Sequence, residues 1–252
     1  MHKSITFVGN GKMALALAKG LCETHTIEVI GRTHETLSRF EKALGYPVKK
    51  TLYDAADISG KHVMLCVKPA NLTAVASLLK GKAAVLYSVL AGTPLEKLRT
   101  INASHYCRAM PNLAAEVGAS MTSLVGDAEI APQALGLFGS IGNTLWLSSE
   151  KELDIATALA GSGPAYLALI AEALCDGAVR EGLKRDDAMA LMRGLFEGFG
   201  KLIQEIHPAI LKDNVMSPGG TTAAGYGAME NGNVRNGVME AIRAAHAKAK
   251  TL

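Results

Sequence analysis

The feature that most constrains the fold of this chain is a glycine turn near its N-terminus, between an apolar run and a helix-like run. The pattern is Gly9-x-Gly11-x-x-Ala14. Gly9 allows a tight strand-to-helix turn, Gly11 lets a pyrophosphate approach the backbone, and Ala14 lets the helix pack on the strand. The free N–H groups at the helix start then face the phosphates, with an ordinary βα turn as the alternative. The predicted dinucleotide contacts are Gly9, Asn10, Gly11, Lys12 and Met13.

A second apolar run, residues 26–30, ends in Gly31-Arg32-Thr33. In dinucleotide-binding folds, the residue after this strand meets the adenosine ribose: NAD sites use Asp or Glu, and NADP sites often use Arg. No carboxylate stands here, so Arg32 and Thr33 predict a 2′-phosphate site. The predicted cofactor is NADPH, with NADH still possible. The alternative is that Arg32 is a solvated residue before the helix at 35–44.

Strand-like and helix-like segments alternate through the first 149 residues, which predicts an α/β fold with a doubly wound, Rossmann-type sheet. Such sheets bind ligands at the carboxyl ends of their strands. Further strands are predicted at 61–67, 83–89, 105–110, 121–125 and 144–147, and helices at 35–44, 71–79, after 92–94 and at 132–141.

Two proline-containing segments follow predicted strands and are therefore placed to touch the cofactor. Either could instead be a plain turn, because proline is common in turns. The segments are Val67-Lys68-Pro69 and Met110-Pro111-Asn112.

From residue 150 the pattern becomes helical, which predicts a Rossmann domain at 1–149 and an all-α dimerisation domain at 150–252. The predicted helix at 165–182 is apolar around most of its circumference, and such a helix must be buried. About a hundred residues can hardly enclose several such helices, because small domains bury less of their surface. A symmetric homodimer or larger homo-oligomer is expected. The alternative is that the Rossmann half covers these faces.

A second glycine-rich segment, residues 215–225, lies between two predicted helices. Gly219 and Gly220 can present bare N–H groups, Ser217, Thr221 and Thr222 can donate hydrogen bonds, and the next helix contributes its positive end. The combination predicts a carboxylate or phosphate pocket without Lys or Arg. A capped loop between helices is the equally weighted alternative.

Composition excludes several classes of function for the 252-residue chain. A net charge of +3, with scattered lysines and arginines, argues against nucleic-acid binding. The four cysteines form no C-x-x-C pair and predict reduced thiols and a cytoplasmic protein. The seven histidines have no metal-ligand spacing, so no metal is expected. The apolar stretch 155–175 is broken by Gly161-Ser162-Gly163-Pro164, so a buried helix is expected instead of a membrane span.

With these residues in view, the chain resembles pyrroline-5-carboxylate reductase along essentially its whole length. The resemblance rests on five motifs in the right order. They are Gly9-Asn10-Gly11-Lys12-Met13-Ala14, Val67-Lys68-Pro69, Arg108-Ala109-Met110-Pro111-Asn112, Ala160-Gly161-Ser162-Gly163-Pro164-Ala165-Tyr166, and the block from Leu211 through residues 217–222 to Met229, Glu230 and Arg235.

The resemblance implies reduction of the ring imine of 1-pyrroline-5-carboxylate to L-proline with NADPH or NADH, the last step of proline synthesis. It implies that Ser217, Gly219 and Gly220 hold the substrate carboxylate, that Thr222 lies near the ring nitrogen, and that Asn214 approaches the cofactor. It also implies a helical domain that interlocks with a second subunit, which contributes the substrate loop. Two departures concern helix packing near the pocket: Tyr226 replaces an aliphatic residue, and Asn233-Val234 replaces Gly-Phe.

Little side-chain chemistry is needed, because the cofactor carries the hydride. Thr222 is the predicted catalytic residue, helping to deliver a proton to the ring nitrogen directly or through water. A β-hydroxyacid dehydrogenase is one alternative function, but it needs a lysine that residues 165–180 lack. A non-catalytic NADP-binding regulator is another, and the anion pocket at 217–222 argues against it.

Overall fold

The computed structural model describes residues 3–250, and within them an eight-stranded sheet carries the first part of the chain. Apolar β-branched and aliphatic residues form its inner strands, as expected for strands buried on both faces. The strands are β1 (Lys3–Val8), β2 (His25–Gly31), β3 (Lys49–Leu52), β4 (His62–Leu65), β5 (Ala83–Ser88), β6 (Ala103–Met110), β7 (Ser120–Gly126) and β8 (Gly142–Trp146).

Helices connect these strands and then continue alone to the end of the described chain. The helices are α1 (Lys12–Leu21), α2 (His34–Leu44), α3 (Leu72–Ala76), α4 (Leu95–Leu98), α5 (Ala131–Gly139), α6 (Glu150–Ala156), α7 (Gly163–Arg180), α8 (Arg185–Glu205), α9 (Pro208–Val215), α10 (Thr221–Asn231) and α11 (Val234–Ala249).

The sheet has the strand order β3-β2-β1-β4-β5-β6-β7-β8. The first six strands in this order are parallel to their neighbours, and β7 is antiparallel to β6. The strand order therefore runs outward in opposite directions from β1 and from β4. The switch lies between these two parallel strands, where Val8 is paired with Leu65. A doubly wound sheet binds its ligands at this switch point. The predicted Rossmann-type sheet is confirmed, including the added strands β7 and β8.

Strand β3 was not expected from the sequence, which shows only the lysine-rich letters KKTL there. It exists because it pairs with β2, with Glu28 opposite Lys49. An edge strand has only one hydrogen-bonded neighbour and needs little apolar sequence.

The chain divides into two compact units, and each is described by itself. Unit 1 comprises Met1–Ser162 with Ala244–Leu252, and unit 2 is Gly163–Arg243. Unit 1 has apolar clusters that include Phe7, Leu17 and Phe138 in one and Val8 and Leu86 in another. The domain boundary predicted between residues 149 and 150 stays a prediction.

Unit 2 consists of helices, with few buried side chains in a single chain. Leu169 on α7 is 67% exposed, and Leu191 on α8 is 65% exposed. The expected burial of the 165–182 helix therefore does not hold within one chain. Apolar side chains exposed at this density mark a surface that a partner covers.

Candidate functional site

The glycine turn after β1 is shaped by the end of β4. Gly9 has φ +102°, a conformation that favours glycine, and its N–H donates to the Ile30 carbonyl at 2.9 Å. A Cβ on Gly9 would lie 2.8 Å from the Cys66 carbonyl oxygen and 3.1 Å from Val67 Cγ1. The turn is therefore pressed against the first residues after β4, and a larger residue at position 9 would force the strands apart.

The start of α1 is open to a ligand. Gly11 is the N-cap residue, no side chain caps the helix, and no acidic residue stands in its first turn. A Cβ on Gly11 would meet nothing within 4 Å. Gly11 and Lys12 are both exposed. An uncapped helix start with space above its glycine fits a pyrophosphate, which accepts hydrogen bonds from the free N–H groups. Asn10, between the two glycines, is half-buried, as is Met13 one residue beyond Lys12.

The two residues predicted to hold a 2′-phosphate both follow β2, but their side chains do different things. Thr33 is the N-cap of α2, and its Oγ1 accepts a hydrogen bond from the Thr36 N–H at 3.2 Å. Arg32 is exposed at the same edge of the sheet. Burial raises the pKa of the nearby Tyr53 phenol, and the charge of Arg32 partly opposes that rise. The exposed guanidinium is accessible to an anion, while the Thr33 hydroxyl already accepts a hydrogen bond from the helix.

The segment 67–69 follows β4 directly and adjoins the glycine turn through Val67. Lys68 is exposed and is the N-cap of a 3₁₀ turn, Pro69–Asn71. Its carbonyl accepts from the Asn71 N–H at 2.8 Å. Proline opens this turn without losing a bond, because the first N–H of a helical turn has no internal partner.

The segment 110–112 begins at Met110, the last residue of β6, and is buried. The Asn112 side chain is engaged at both ends: Oδ1 accepts from the Ala114 N–H at 3.1 Å, and Nδ2 donates to the Ala160 carbonyl at 3.0 Å. By the usual strand spacing, β6 lies roughly 14 Å along the sheet from β1. The segment lies at the same carboxyl edge of the sheet as the glycine turn. Its Asn112 amide, however, is hydrogen-bonded to backbone groups of the protein.

Arg108, two residues before Met110 on β6, received no role from the sequence beyond its place in a motif. Its side chain is 2% exposed, and its guanidinium donates to Glu150 Oε1 and Asp154 Oδ1, each at 2.9 Å. Glu150 Oε1 also accepts from the Leu95 N–H at 2.8 Å. This cluster, with Arg108 buried and the two carboxylates half-buried, ties α6 to the sheet below the carboxyl edge. The sequence signal was an arginine inside an apolar strand, with two carboxylates four residues apart on one later helix face.

The loop predicted to bind the substrate lies in unit 2, between α9 and α10. Its backbone turns over residues 217–220, with the Gly220 N–H donating to the Ser217 carbonyl at 3.0 Å. Pro218 and then Gly219, at φ +70°, fit a type II turn, which needs a positive φ at its third residue. A Cβ on Gly220 would lie 2.4 Å from Ser217 Oγ. Gly219 is therefore required by the turn, whereas a side chain at position 220 would displace the Ser217 hydroxyl.

The start of α10 offers donors that the described helix does not use for capping. Gly220 is its N-cap, without a side-chain cap, and Thr221 and Thr222 are the first two helical residues. Both threonines and Ser217 are exposed. Free N–H groups and hydroxyls at a helix N-terminus suit a carboxylate, and no cation is needed to bind it.

The predicted site residues thus fall into two groups. Those of residues 9–13, 32–33, 67–69 and 110–112 lie at the carboxyl edge of the sheet in unit 1, whereas Asn214 belongs with the loop 217–222 in unit 2. Asn214 lies in the last turn of α9 and is exposed. Among residues 3–250 no group of three or more His, Cys, Asp or Glu side chains could hold a metal ion.

Comparison with known proteins identifies the family. A curated pyrroline-5-carboxylate reductase from Synechocystis is 35% identical over 266 residues, covering 100% of this chain and 99% of that protein. The chain belongs to the pyrroline-5-carboxylate reductase family. The crystal structure of the 1-pyrroline-5-carboxylate reductase from Streptococcus pyogenes matches with a TM-score of 0.87 and 31% identity, covering 99% of this chain and 98% of that one.

Family models match both parts of this reductase-family chain. A model for pyrroline-5-carboxylate reductase dimerisation matches residues 150–252, and one described as NADP oxidoreductase coenzyme F420-dependent matches residues 4–92. The Plasmodium falciparum pyrroline carboxylate reductase, solved with NADP bound, matches with a TM-score of 0.81 and 26% identity, covering 99% of this chain and 97% of that one. The chain is therefore an oxidoreductase that uses a nicotinamide cofactor, and it assembles as a homo-oligomer.

The dimerisation match also bears on the apolar run Glu150–Arg180, which is long and apolar enough to cross a membrane by length and composition alone. Only 11% of the most apolar 18-residue stretch of this run is buried within the single chain. Because this run lies inside the matched dimerisation region, a second subunit accounts for its exposed apolar side chains.

Proposed function

We propose that this chain reduces the ring imine of 1-pyrroline-5-carboxylate to L-proline, the last step of proline biosynthesis. The full-length similarity to curated pyrroline-5-carboxylate reductases carries the proposal. Helix α7 contains no lysine, so a β-hydroxyacid dehydrogenase mechanism would lack its acid–base group. A non-catalytic regulator does not require the carboxylate-binding features of the loop 217–222.

When bound, the nicotinamide cofactor would supply a hydride to the imine carbon, and a proton reaches the ring nitrogen, so that the C=N double bond becomes a C–N single bond with one new C–H bond and one new N–H bond. The residues of this chain orient the reactants. The open helix start at Gly11 and the exposed Arg32 bind the cofactor's phosphates, and residues 67–69 and 110–112 line the same edge of the sheet.

The substrate carboxylate is held by Ser217 and by the N–H groups of Gly219 and Thr221. The Gly220 N–H, expected from the sequence to be bare, instead closes the turn onto the Ser217 carbonyl, so Gly220 acts by shaping the loop. These donors are neutral, so they fix the ring without adding a positive charge that would oppose the protonated imine. Thr222 lies next to them on α10 and donates a hydrogen bond toward the ring nitrogen, directly or through water. Asn214 completes the cofactor contacts from α9.

Three finer features belong to the same proposal. NADPH is preferred over NADH, since the residue that follows β2 is Arg32 and no carboxylate is present there. The active form is a homodimer or a larger homo-oligomer built on the apolar faces of unit 2. The enzyme works in the cytoplasm, consistent with four cysteines that are all free in the structure.

The test is to follow nicotinamide absorbance with 1-pyrroline-5-carboxylate and each cofactor in turn. We expect oxidation of the cofactor and stoichiometric formation of proline. A Ser217→Ala variant separates the proposal from a sensor: a reductase loses affinity for the imine, whereas a sensor would keep its response to NADPH. Cofactor binding without any turnover of the imine would contradict the proposed function.

A further inference from the structure

A polar cluster on unit 2 joins the two helices that flank the substrate loop. Tyr226 on α10 donates from its hydroxyl to Glu230 Oε1 at 2.5 Å, and Arg235 on α11 donates to the same hydroxyl at 2.5 Å. Arg235 Nε also donates to Glu230 Oε1 at 3.0 Å and Oε2 at 3.2 Å. On the other side, Lys212 Nζ of α9 lies 5.4 Å from the centre of the Tyr226 ring. Tyr226 thus contacts both α9 and α11.

The spacing of residues on α10 connects this cluster to the loop. Thr222, Tyr226 and Glu230 are separated by four residues each, so they lie along one face of the helix. Tyr226 stands one turn beyond Thr222, and Lys212 stands on the helix that ends just before residue 216. The Lys212–Tyr226 contact therefore spans the base of the loop 216–220, bridging the helix before it to the helix after it.

The charges in the cluster keep it assembled at neutral pH. Hydrogen bonds from Arg235 and Tyr226 lower the pKa of Glu230 to about 2, so its carboxylate stays ionised. Lys212 also pairs with Asp213 Oδ1 at 2.6 Å, and this hydrogen bond raises the pKa of its ammonium. An ammonium over an aromatic ring is attracted by the electrons of the ring face. An aliphatic residue at position 226 could offer neither the ring nor the hydroxyl.

We propose that Tyr226 is a positioning residue for the substrate loop, acting as a clamp that joins Lys212 on one side to Glu230 and Arg235 on the other. Through it, the distance between the end of α9 and the start of α10 is fixed, and with it the spacing of Ser217 and Thr222. The inference rests on the proposed function, because it assigns the clamp to the loop that binds the imine. Tyr226 itself touches neither substrate nor cofactor in this proposal.

The experiment is a double-mutant cycle on steady-state kinetics. Tyr226→Leu and Lys212→Met are each expected to raise the KM for 1-pyrroline-5-carboxylate about two- to fivefold, the factor that corresponds to an exposed cation–π contact. The KM for NADPH should change less than the KM for the imine, because Asn214 is the one proposed cofactor contact that lies on α9. The double variant should lose little more than either single variant, since both remove the same contact.

Two further variants separate the clamp from general stability. Tyr226→Phe keeps the ring over Lys212 and loses the hydroxyl, so it should recover part of the loss of Tyr226→Leu. Lys201→Met serves as the matched control, because Lys201 is an exposed lysine on α8 that pairs with Glu197. The KM of this variant for the imine should equal that of the wild type.

The outcomes distinguish the clamp from the proposed function. A wild-type enzyme that turns over the imine, with an unchanged KM in Tyr226→Leu or Lys212→Met, would overturn the clamp alone. Fully additive losses in the double variant would overturn it as well, because independent effects need no contact between the two side chains. A wild-type chain without imine reduction would overturn the proposed function and the clamp together. If Tyr226→Leu does not fold, Lys212→Met carries the test, since Lys212 lies at the surface.

Discussion

The side-chain amide of Asn112 donates a hydrogen bond to the backbone carbonyl of Ala160, with 3.0 Å between Nδ2 and the oxygen. In a regular helix this carbonyl would accept from residue 164, but residue 164 is a proline and has no N–H. Residues Thr157–Gly161 form a π-helical turn just before it. Asn112 thus supplies a donor that Pro164 cannot, and it joins the end of β6 to the helical run that begins at Glu150.

Asn112→Ala is expected to lower the free energy of unfolding by about 2 kcal/mol, because it leaves the Ala160 carbonyl and the Ala114 N–H without their partner. Urea unfolding at a fixed protein concentration measures the loss, since assembly affects the apparent stability. Asn112→Asp is the matched variant: it keeps the acceptor for Ala114 but places a carboxylate oxygen against the carbonyl. An Asn112→Ala variant as stable as the wild type would show that the amide has no structural role.

Arg32→Ala is expected to raise the KM for NADPH about tenfold or more, because a charge-assisted hydrogen bond to the 2′-phosphate is lost. The KM for NADH should change little, since NADH carries no phosphate at that position. Arg39→Ala on α2, the helix that follows Arg32, is the control: Arg39 is exposed and pairs with Glu35 at 2.8 Å, so neither cofactor should be affected. Equal losses with the two cofactors in Arg32→Ala would contradict the 2′-phosphate assignment.

Thr222→Ala is expected to lower kcat for the imine about 10²-fold, the smaller end of the range for a lost proton donor. Thr222→Ser retains the hydroxyl and should recover most of the rate. The KM for NADPH reports on the cofactor edge in unit 1 and should remain at its wild-type value in both variants. If Thr222→Ala turns over the imine at the wild-type rate, the threonine does not deliver the proton.

Glu28 predicts how stability depends on pH. Burial by itself raises the pKa of this carboxyl, but hydrogen bonds from Lys61, Thr51 and Lys49 more than offset it, so the pKa lies below its ordinary value. A lowered folded-state pKa stabilises the protein above the unfolded pKa, near 4.5, and this stabilisation is lost as the pH falls through the folded pKa. The ionised Glu28 accepts from Lys61 at 2.7 Å and from Thr6 at 3.0 Å.

Glu28→Gln should therefore unfold at a lower urea concentration than the wild type at pH 7, and the difference should shrink in acid. Glu23→Gln is a suitable control, because Glu23 is an exposed carboxylate two positions beyond the end of α1. A gap between wild type and Glu28→Gln that stays constant from neutral pH to below the folded pKa would mean that the charge of Glu28 contributes nothing.

Local chemistry allowed much of the fold and the loop to be predicted. Gly9, with its positive φ, and the Pro218-Gly219 turn each follow from what their own residue types can adopt, and the apolar runs of β1, β2 and β5 have strand length. The helix predicted at 165–182 is observed at Gly163–Arg180, within two residues at each end. These features depend on neighbours in the sequence, which a single chain displays directly.

The remaining features depend on partners far apart in the sequence. Strand β3 is defined by its pairing with β2, which its own letters do not indicate. The cluster of Arg108 with Glu150 and Asp154 joins residues more than forty positions apart. Thr33 was predicted to bind the cofactor, but in the structure its hydroxyl accepts a hydrogen bond that caps α2. In each case the sequence contains the residue types but not the contact.

The exposed apolar side chains on α7 and α8 have a consequence for the order of events during synthesis. The sheet of unit 1 has its own core, so most of it can fold as soon as the first 160 or so residues have left the ribosome. The helices that follow leave Leu169 and Leu191 exposed in the single chain. Because the chain assembles as a homo-oligomer, maturation of the subunit ends in a bimolecular event, whose rate rises with the concentration of newly made chains.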